Sequence, residues 1–171
     1  MQKKIHEDLN RGVCYVYKRD MKFRPIFIIN VAKLTKFKAD TEYMIHMTCY
    51  LLSFVISRGM IPGKVENWVT IIDMKGVGML DIPKKLMKAM AKPLQQYYKG
   101  RLYRLHVINA QWAIKICWKI AKKIVDPLTI KKFALCGDDY AKKLGELIHP
   151  DSLEKRFGGN LPDKEDNFFP P

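Results

Sequence analysis

The sequence predicts an α/β layer fold, a mixed and mostly parallel sheet flanked by helices, its parallel pairs built from right-handed crossovers. Three observations predict it. Short runs rich in Val, Ile, Phe and Tyr recur along the chain, stretches of helical periodicity separate them, and 171 residues with 48% hydrophobic and 28% charged side chains suit one core-forming domain. Val13 to Tyr17 and Pro25 to Val31 are the first strands, and the polar turn Lys18-Arg19-Asp20-Met21-Lys22 joins them as a hairpin. Asp40 and Glu42 start a helix that Arg58-Gly59 stops; its middle is apolar nearly all round and must be buried. Trp68 to Met74 is the next strand, ending in Gly76 and Gly78. Asp81-Ile82-Pro83 then opens a helix with Leu86, Met90, Leu94 and Tyr97 on one stripe and lysines on the other face. Leu102 to Ile108 is a strand, and after the turn Asn109-Ala110-Gln111 a helix runs from Trp112 to Val125. Asp126-Pro127 ends it, because a residue before proline is pushed out of the helical region. Phe133 to Cys136 is a short buried strand, a helix with Tyr140, Leu144 and Leu147 follows Gly137-Asp138, and Phe157-Gly158-Gly159 closes the ordered part. Residues 1–18 are thus an N-terminal extension with the first strand, 19–159 the domain proper, and 160–171 a tail that drapes or frays.

The charge is one-sided. Lys and Arg number 31 against 17 acids, a net +14 that favours phospholipid head groups, nucleic acid or an acidic protein as partners. Pro83 to Lys132 contains eleven Lys and two Arg against the single acid Asp126, so this stretch carries +12 of the excess. Nucleic acid is the poorest of the three partners, since no RNA- or DNA-reading motif is present and the Trp and Tyr residues lie in apolar periodic stretches. Ile114, Cys117, Trp118, Ala121 and Val125 share one helical face, and Lys115, Lys119, Lys122 and Lys123 occupy the rest. Such a basic amphipathic helix can lie on a membrane or pack on the sheet.

Catalytic motifs are missing: there is no phosphate-binding Walker loop, no Gly-x-Ser-x-Gly elbow and no His-Glu-x-x-His, so an enzyme is not expected. Gly76-Val77-Gly78 lacks the third glycine of a dinucleotide turn and reads as a tight turn needing positive φ. His46 and His106 are expected as hydrogen-bonded core or cavity-wall residues. Cys14, Cys49, Cys117 and Cys136 have no Cys-x-x-Cys spacing and no clustering with histidine, which points to reduced, buried thiols in an intracellular protein and to no metal site. The longest apolar stretch, Tyr43 to Ile56, is 14 residues against the roughly 20 that a membrane span needs. The N-terminus has no apolar h-region, so a cytoplasmic or peripheral-membrane location is expected, with an organelle left open.

Five blocks in order carry a resemblance. They are Arg19-Asp20 through Arg24-Pro25-Ile26-Phe27; Trp68-Val-Thr-Ile-Ile-Asp-Met-Lys-Gly76; Tyr97-Tyr98 leading into Leu105-His-Val-Ile-Asn109-Ala110; Asp126-Pro127-Leu-Thr129-Ile-Lys131-Lys132; and Leu153-Glu-Lys-Arg-Phe157-Gly158-Gly159. Together they resemble the CRAL-TRIO lipid-binding family, close in pattern to phosphatidylinositol-transfer proteins. The resemblance implies a sheet flooring an apolar cavity, with the Trp112 to Val125 helix as a mobile gate. It also implies a bound lipid in place of a cofactor, with an anionic membrane surface as partner. In phosphatidylinositol-binding members an acid in the opening hairpin, an acid-arginine pair before the second core strand, and a Thr and Lys after Asp-Pro hold the head group. The resemblance places these on Asp20, Gly100-Arg101, Thr129 and Lys132, with Gly100 standing where the family has glutamate. Turn and cap chemistry is the plainer role for Asp20 and Thr129, and solvation for Lys132. For the choline-lipid pocket Thr70 matches and Phe27 keeps an aromatic, but Trp68 replaces a small hydroxyl residue, so that pocket is altered or filled. Trp118, Lys115, Lys119, Lys122 and Lys123 would face the membrane. The 18 residues before Arg19 are too few for the helical subdomain that many members carry. The implied function is binding, and transfer between membranes, of a phospholipid; the alternative is an accessory subunit of a membrane-associated complex, with protein partners covering the missing surface.

Overall fold

The computed structural model describes residues 2–110 and 114–171. Five strands form one sheet in the order β1 (Cys14–Arg19), β2 (Pro25–Asn30), β3 (Trp68–Asp73), β4 (Leu102–Ile108) and β5 (Phe133–Leu135). β1 and β2 pair antiparallel as the expected hairpin, with Tyr15 opposite Ile28, and the remaining pairs are parallel. Each parallel connection crosses through helix: α2 (Val31–Lys36) and α3 (Thr41–Gly59), then α4 (Lys84–Tyr97), then α5 (Ile114–Ile124) and α6 (Pro127–Ile130). α7 (Tyr140–Gly145) and two short 3-10 turns follow β5. The expected start of the fifth helix at Trp112 lies outside the described residues. No described helix is long and apolar enough to cross a membrane.

Alternation along the strands divides the core. Ile26, Ile28, Ile71 and Ile108 face a layer made by Leu144, Ile148, Leu153, Phe157 and Phe168. On the other face Phe27, Trp68 and Leu102 meet α3 and α4, while Ile29, Ile72, Leu105 and Val107 meet Ile82, Met87, Ile116 and Ile120. α3 buries Met44, Met47, Leu51, Leu52 and Val55 against the sheet. Its outer aromatics, Tyr50 and Phe54, are covered by an element the sequence did not announce, α1 (Gln2–Leu9), and by the C-terminal segment, whose Phe169 ring lies 4.9 Å from Phe54. Asn10 and Phe169 exchange two hydrogen bonds of 2.9 and 3.0 Å, which fix that segment across the N-terminal helix. His46 is not in the core: it sits on the opposite face of α3 from Met44, Met47 and Leu51, and is exposed.

His106 is buried on the sheet face away from α3–α5, at 4% exposure, with Nδ1 3.7 Å from the Cys136 sulfur. Its Nε2 has no hydrogen-bond partner among the described residues, so the expected hydrogen bonding is only half met. Burial, with Arg104 and Lys143 nearby, pushes its pKa down to about 4. Between pH 6.5 and 4 the unfolded chain therefore binds a proton that the native state refuses, and stability falls as pH falls through that window. The loss should reach on the order of 3 kcal/mol. Urea midpoints measured across this range should fall less steeply in His106→Leu; an unchanged slope would remove His106 as the cause. Cys14, Cys49 and Cys136 are free thiols, of which Cys136 is fully buried and Cys14 and Cys49 are half-buried. Burial raises the Cys14 pKa to about 12, which keeps it a neutral thiol.

Candidate functional site

The two faces of the sheet are filled to different degrees. On the side of the C-terminal layer, Val69, Ile71 and Ile108 are completely buried. On the helix side Ile72 and Leu105, apolar residues with a paired strand on either side, stay only half-buried. The helices above them explain this. α4 buries no side chain fully, although Leu86, Met87, Met90 and Leu94 form an apolar stripe, and α5 contributes Ala121 alone among its described side chains. α3, by contrast, is fully seated at its own end of the same face. Ile29, Ile72, Leu105 and Leu135 thus pack, only partly buried, against the cluster of Val77, Ile82 and Val107 beneath α4–α5. On the same sheet face the Trp68 ring packs 5.1 Å from Phe27 and 6.1 Å from Tyr98. Trp68 therefore fills volume next to Phe27, as its bulk implied. Thr70, one step inward on the same strand face, is buried.

The polar end follows from topology. β2 to β5 run parallel, so the turn before β2 and the residues leading into β3, β4 and β5 gather at one edge of the sheet. Arg101, Thr129 and Lys132 all lie there. The Arg101 guanidinium donates to the Glu66 carbonyl at 2.9 Å, and the Lys132 ammonium donates to the Leu102 carbonyl at 2.6 Å. Thr129 is half-buried in α6, where its amide donates to the capping Asp126 carboxylate at 2.9 Å; bonds from Thr129 hold that carboxyl below its ordinary pKa. Gly100 takes a φ of +80°, a left-handed conformation that a glutamate adopts only with strain, which accounts for glycine there.

Asp20 reaches the same edge but its bonding is turned inward. One carboxylate oxygen accepts from the Lys22 and Arg24 amides at 2.8 and 2.9 Å, and the other accepts from Arg24 Nε at 2.6 Å. The Asp20 side chain is wholly buried, and Arg24 lies 3.3 Å over the Tyr103 ring, so this pair ties the hairpin turn to β4. Lys115, Lys119, Lys122 and Lys123 are exposed along α5, and Lys122 sits 5.0 Å from the half-buried Trp118 ring. Gln95 is a residue that sequence reasoning missed. Its amide nitrogen donates to the Ile124 carbonyl at 3.0 Å and its oxygen accepts from the Asp126 amide at 2.7 Å, tying α4 to the C-terminal end of α5. A glutamine on a helix otherwise charged with lysine was the only available signal.

A model of the CRAL/TRIO domain matches residues 9–159, most of the chain. The chain belongs to the CRAL/TRIO family. Among its relatives, the Sec14 cytosolic factor of Schizosaccharomyces pombe is 28% identical over 92% of this chain and 61% of its own length. The phosphatidylinositol/phosphatidylcholine transfer protein SFH11 of Arabidopsis thaliana is 34% identical over 56% of this chain and 26% of its own length. The crystal structure of Sfh5 superposes with a TM-score of 0.70 at 20% identity, covering 83% of this chain and 54% of that one, which shows the shared CRAL/TRIO fold. The chain thus spans less than two thirds of the length of these relatives.

Proposed function

We propose that this CRAL/TRIO protein binds one phospholipid, of the phosphatidylinositol type, and carries it between membranes. The acyl chains would lie between the sheet and α4–α5, with the head group at the basic strand edge of Arg101, Thr129 and Lys132. The observation that carries this reading is the incomplete burial of Ile72 and Leu105 in the middle of a sheet whose other face completely buries Val69, Ile71 and Ile108. An apolar floor left incompletely covered is unfavourable in water and favourable once an alkyl chain covers it. The names of the relatives, a phosphatidylinositol/phosphatidylcholine transfer protein among them, support a lipid cargo. They give no support to the accessory-subunit alternative. Binding and release of this kind need no catalytic group, so we read the protein as a carrier, with α5 as the gate and its lysines and Trp118 towards the bilayer.

Native mass spectrometry of the purified protein, with lipid extraction, is the deciding experiment. A bound phospholipid supports the reading, and a protein that neither carries nor accepts one after incubation with vesicles refutes it. Within that reading Lys132→Ala should lower phosphatidylinositol occupancy, since a charge-assisted bond to the phosphodiester contributes about 1.5–3 kcal/mol. Lys132→Arg should retain most of it. Equal occupancy in Lys132→Ala and the wild type would move the head group away from the β4–β5 edge.

A further inference from the structure

The segment between β3 and α4 lies at the opposite edge of the sheet from the Arg101–Lys132 cluster, and it presents a leucine to solvent. Leu80 is 97% exposed, while Val77 and Ile82 on either side of it are each 5% exposed and packed in the core. The turn between these anchors is closed by its own bonds: the Asp81 amide donates to the Gly78 carbonyl at 3.1 Å, and the Gly78 amide to the Asp81 carboxylate at 3.1 Å. Leu80 is therefore held outward on a braced turn. A lone exposed leucine is ordinary, but this one borders an open groove of about 360 Å³ lined by Leu34, Phe37, Met44, Ile82, Pro83 and Leu86. Lys85 lines this groove, and Lys36, Lys38, Lys75, Lys84 and Lys88, close in the chain to its lining residues, are exposed. Asp81 is engaged in its turn and Asp40 in capping α3 through the Tyr43 amide at 2.7 Å, while Glu42 at the start of α3 is exposed.

From this arrangement we infer that the turn at residues 78–81 is a membrane anchor, in which Leu80 enters the hydrocarbon boundary of an anionic bilayer while these lysines engage the head groups. The partner is argued from charge: an apolar tip accompanied by exposed lysines complements a surface that is apolar below and anionic at its face. It also suits the fold, because Ile116 near the start of α5 packs in the same core cluster as Val77 and Ile82. Anchoring here would bring the N-terminal part of the gate helix to the membrane. The inference deepens the transfer reading by naming a second contact with the bilayer, yet rests on different residues.

Flotation with phosphatidylcholine vesicles, with and without about one-fifth phosphatidylserine, tests it. Leu80→Glu should lower partitioning onto the anionic vesicles roughly ten- to a hundredfold, the value of burying one leucine side chain. Leu80→Trp should retain binding, and its added fluorescence should be quenched by brominated acyl chains. Since Leu80 is 97% exposed, both variants should keep the melting temperature of the wild type. Wild-type partitioning by Leu80→Glu, or unquenched fluorescence from Leu80→Trp, would overturn the inference. So would the capture of an acidic peptide at this groove with no binding to vesicles. Native mass spectrometry separates this result from the carrier reading: a lipid-loaded Leu80→Glu protein that no longer floats supports both, and a lipid-free protein that floats only with Leu80 intact keeps the anchor and removes the cargo.

Discussion

Glu154→Ala is expected to destabilise the protein by about 3–5 kcal/mol, because it leaves the Tyr15 hydroxyl and the Lys164 amide without their acceptor and strips the half-buried Arg156 guanidinium of its main carboxylate partner. Glu154 is 1% exposed and accepts from the Tyr15 hydroxyl at 2.9 Å, the Lys164 amide at 2.7 Å and the Arg156 guanidinium. These bonds join β1, the Leu153–Gly159 segment and the C-terminal tail at one carboxylate. Burial and the carboxylate beside it push the Tyr15 hydroxyl well above its ordinary pKa, so it stays a donor throughout the accessible range. The backbone around Glu154 is equally committed. A Cβ on Gly159 would fall 1.9 Å from the Leu153 carbonyl oxygen, and Gly158 has a φ of +93°. Arg156 keeps about a quarter of its surface in water, which moderates the cost of orphaning it and places the estimate at the lower end of that range. Glu154→Gln loses the charge but keeps one acceptor oxygen, enough for the Lys164 amide and Arg156, while its NH2 can donate to the Tyr15 oxygen, so it should recover part of the loss. Urea unfolding at neutral pH measures both; a loss below about 1 kcal/mol in Glu154→Ala would show that the hub contributes little.

Ile72→Trp is expected to abolish phospholipid binding while leaving the fold stable. Ile72 stands in the middle of the sheet floor and is half-buried, so an indole there can occupy space that the proposed acyl chains need. In a closed core the same enlargement would cost about 1–3 kcal/mol through displaced rotamers and backbone. Its neighbour provides the comparison, since Ile71 is completely buried on the other face and Ile71→Trp should pay that cost in full. The expected pattern is a lipid-free Ile72→Trp protein that melts no lower than lipid-free wild type, beside an Ile71→Trp protein that is markedly destabilised. If Ile72→Trp is as destabilised as Ile71→Trp and still carries lipid, the cargo lies elsewhere.

The β-rich runs, the hairpin and the crossovers were legible because local chemistry decides them: strand and helix periodicities differ, and turn residues punctuate them. Leu102 to Ile108 is a strand in the sequence and in the structure with the same bounds. Asp40 caps α3 through a side-chain oxygen, as its position announced, whereas Asp126, read from the sequence only as a helix end, also caps α6. Five weak blocks in the right order also sufficed to indicate the CRAL/TRIO family, to which the matched residues 9–159 assign the chain.

What the sequence could not decide depends on distant segments meeting. Nothing local says that Asp20 spends its carboxylate on Arg24, which in turn lies over Tyr103, or that Phe169 returns to cover α3 beside α1. His46 was misplaced for the same reason: a helix apolar nearly all round does not reveal which side the sheet will take, and the N-terminal and C-terminal segments chose the other partners. Ile71 and Ile72 are the same residue type in adjacent positions, and one is completely buried while the other is only partly buried. Strand periodicity sends their side chains to opposite faces, but the degree of burial is set by how closely each layer seats. That distance is fixed by side chains from α4, α5 and the C-terminal layer, and so belongs to the tertiary structure alone.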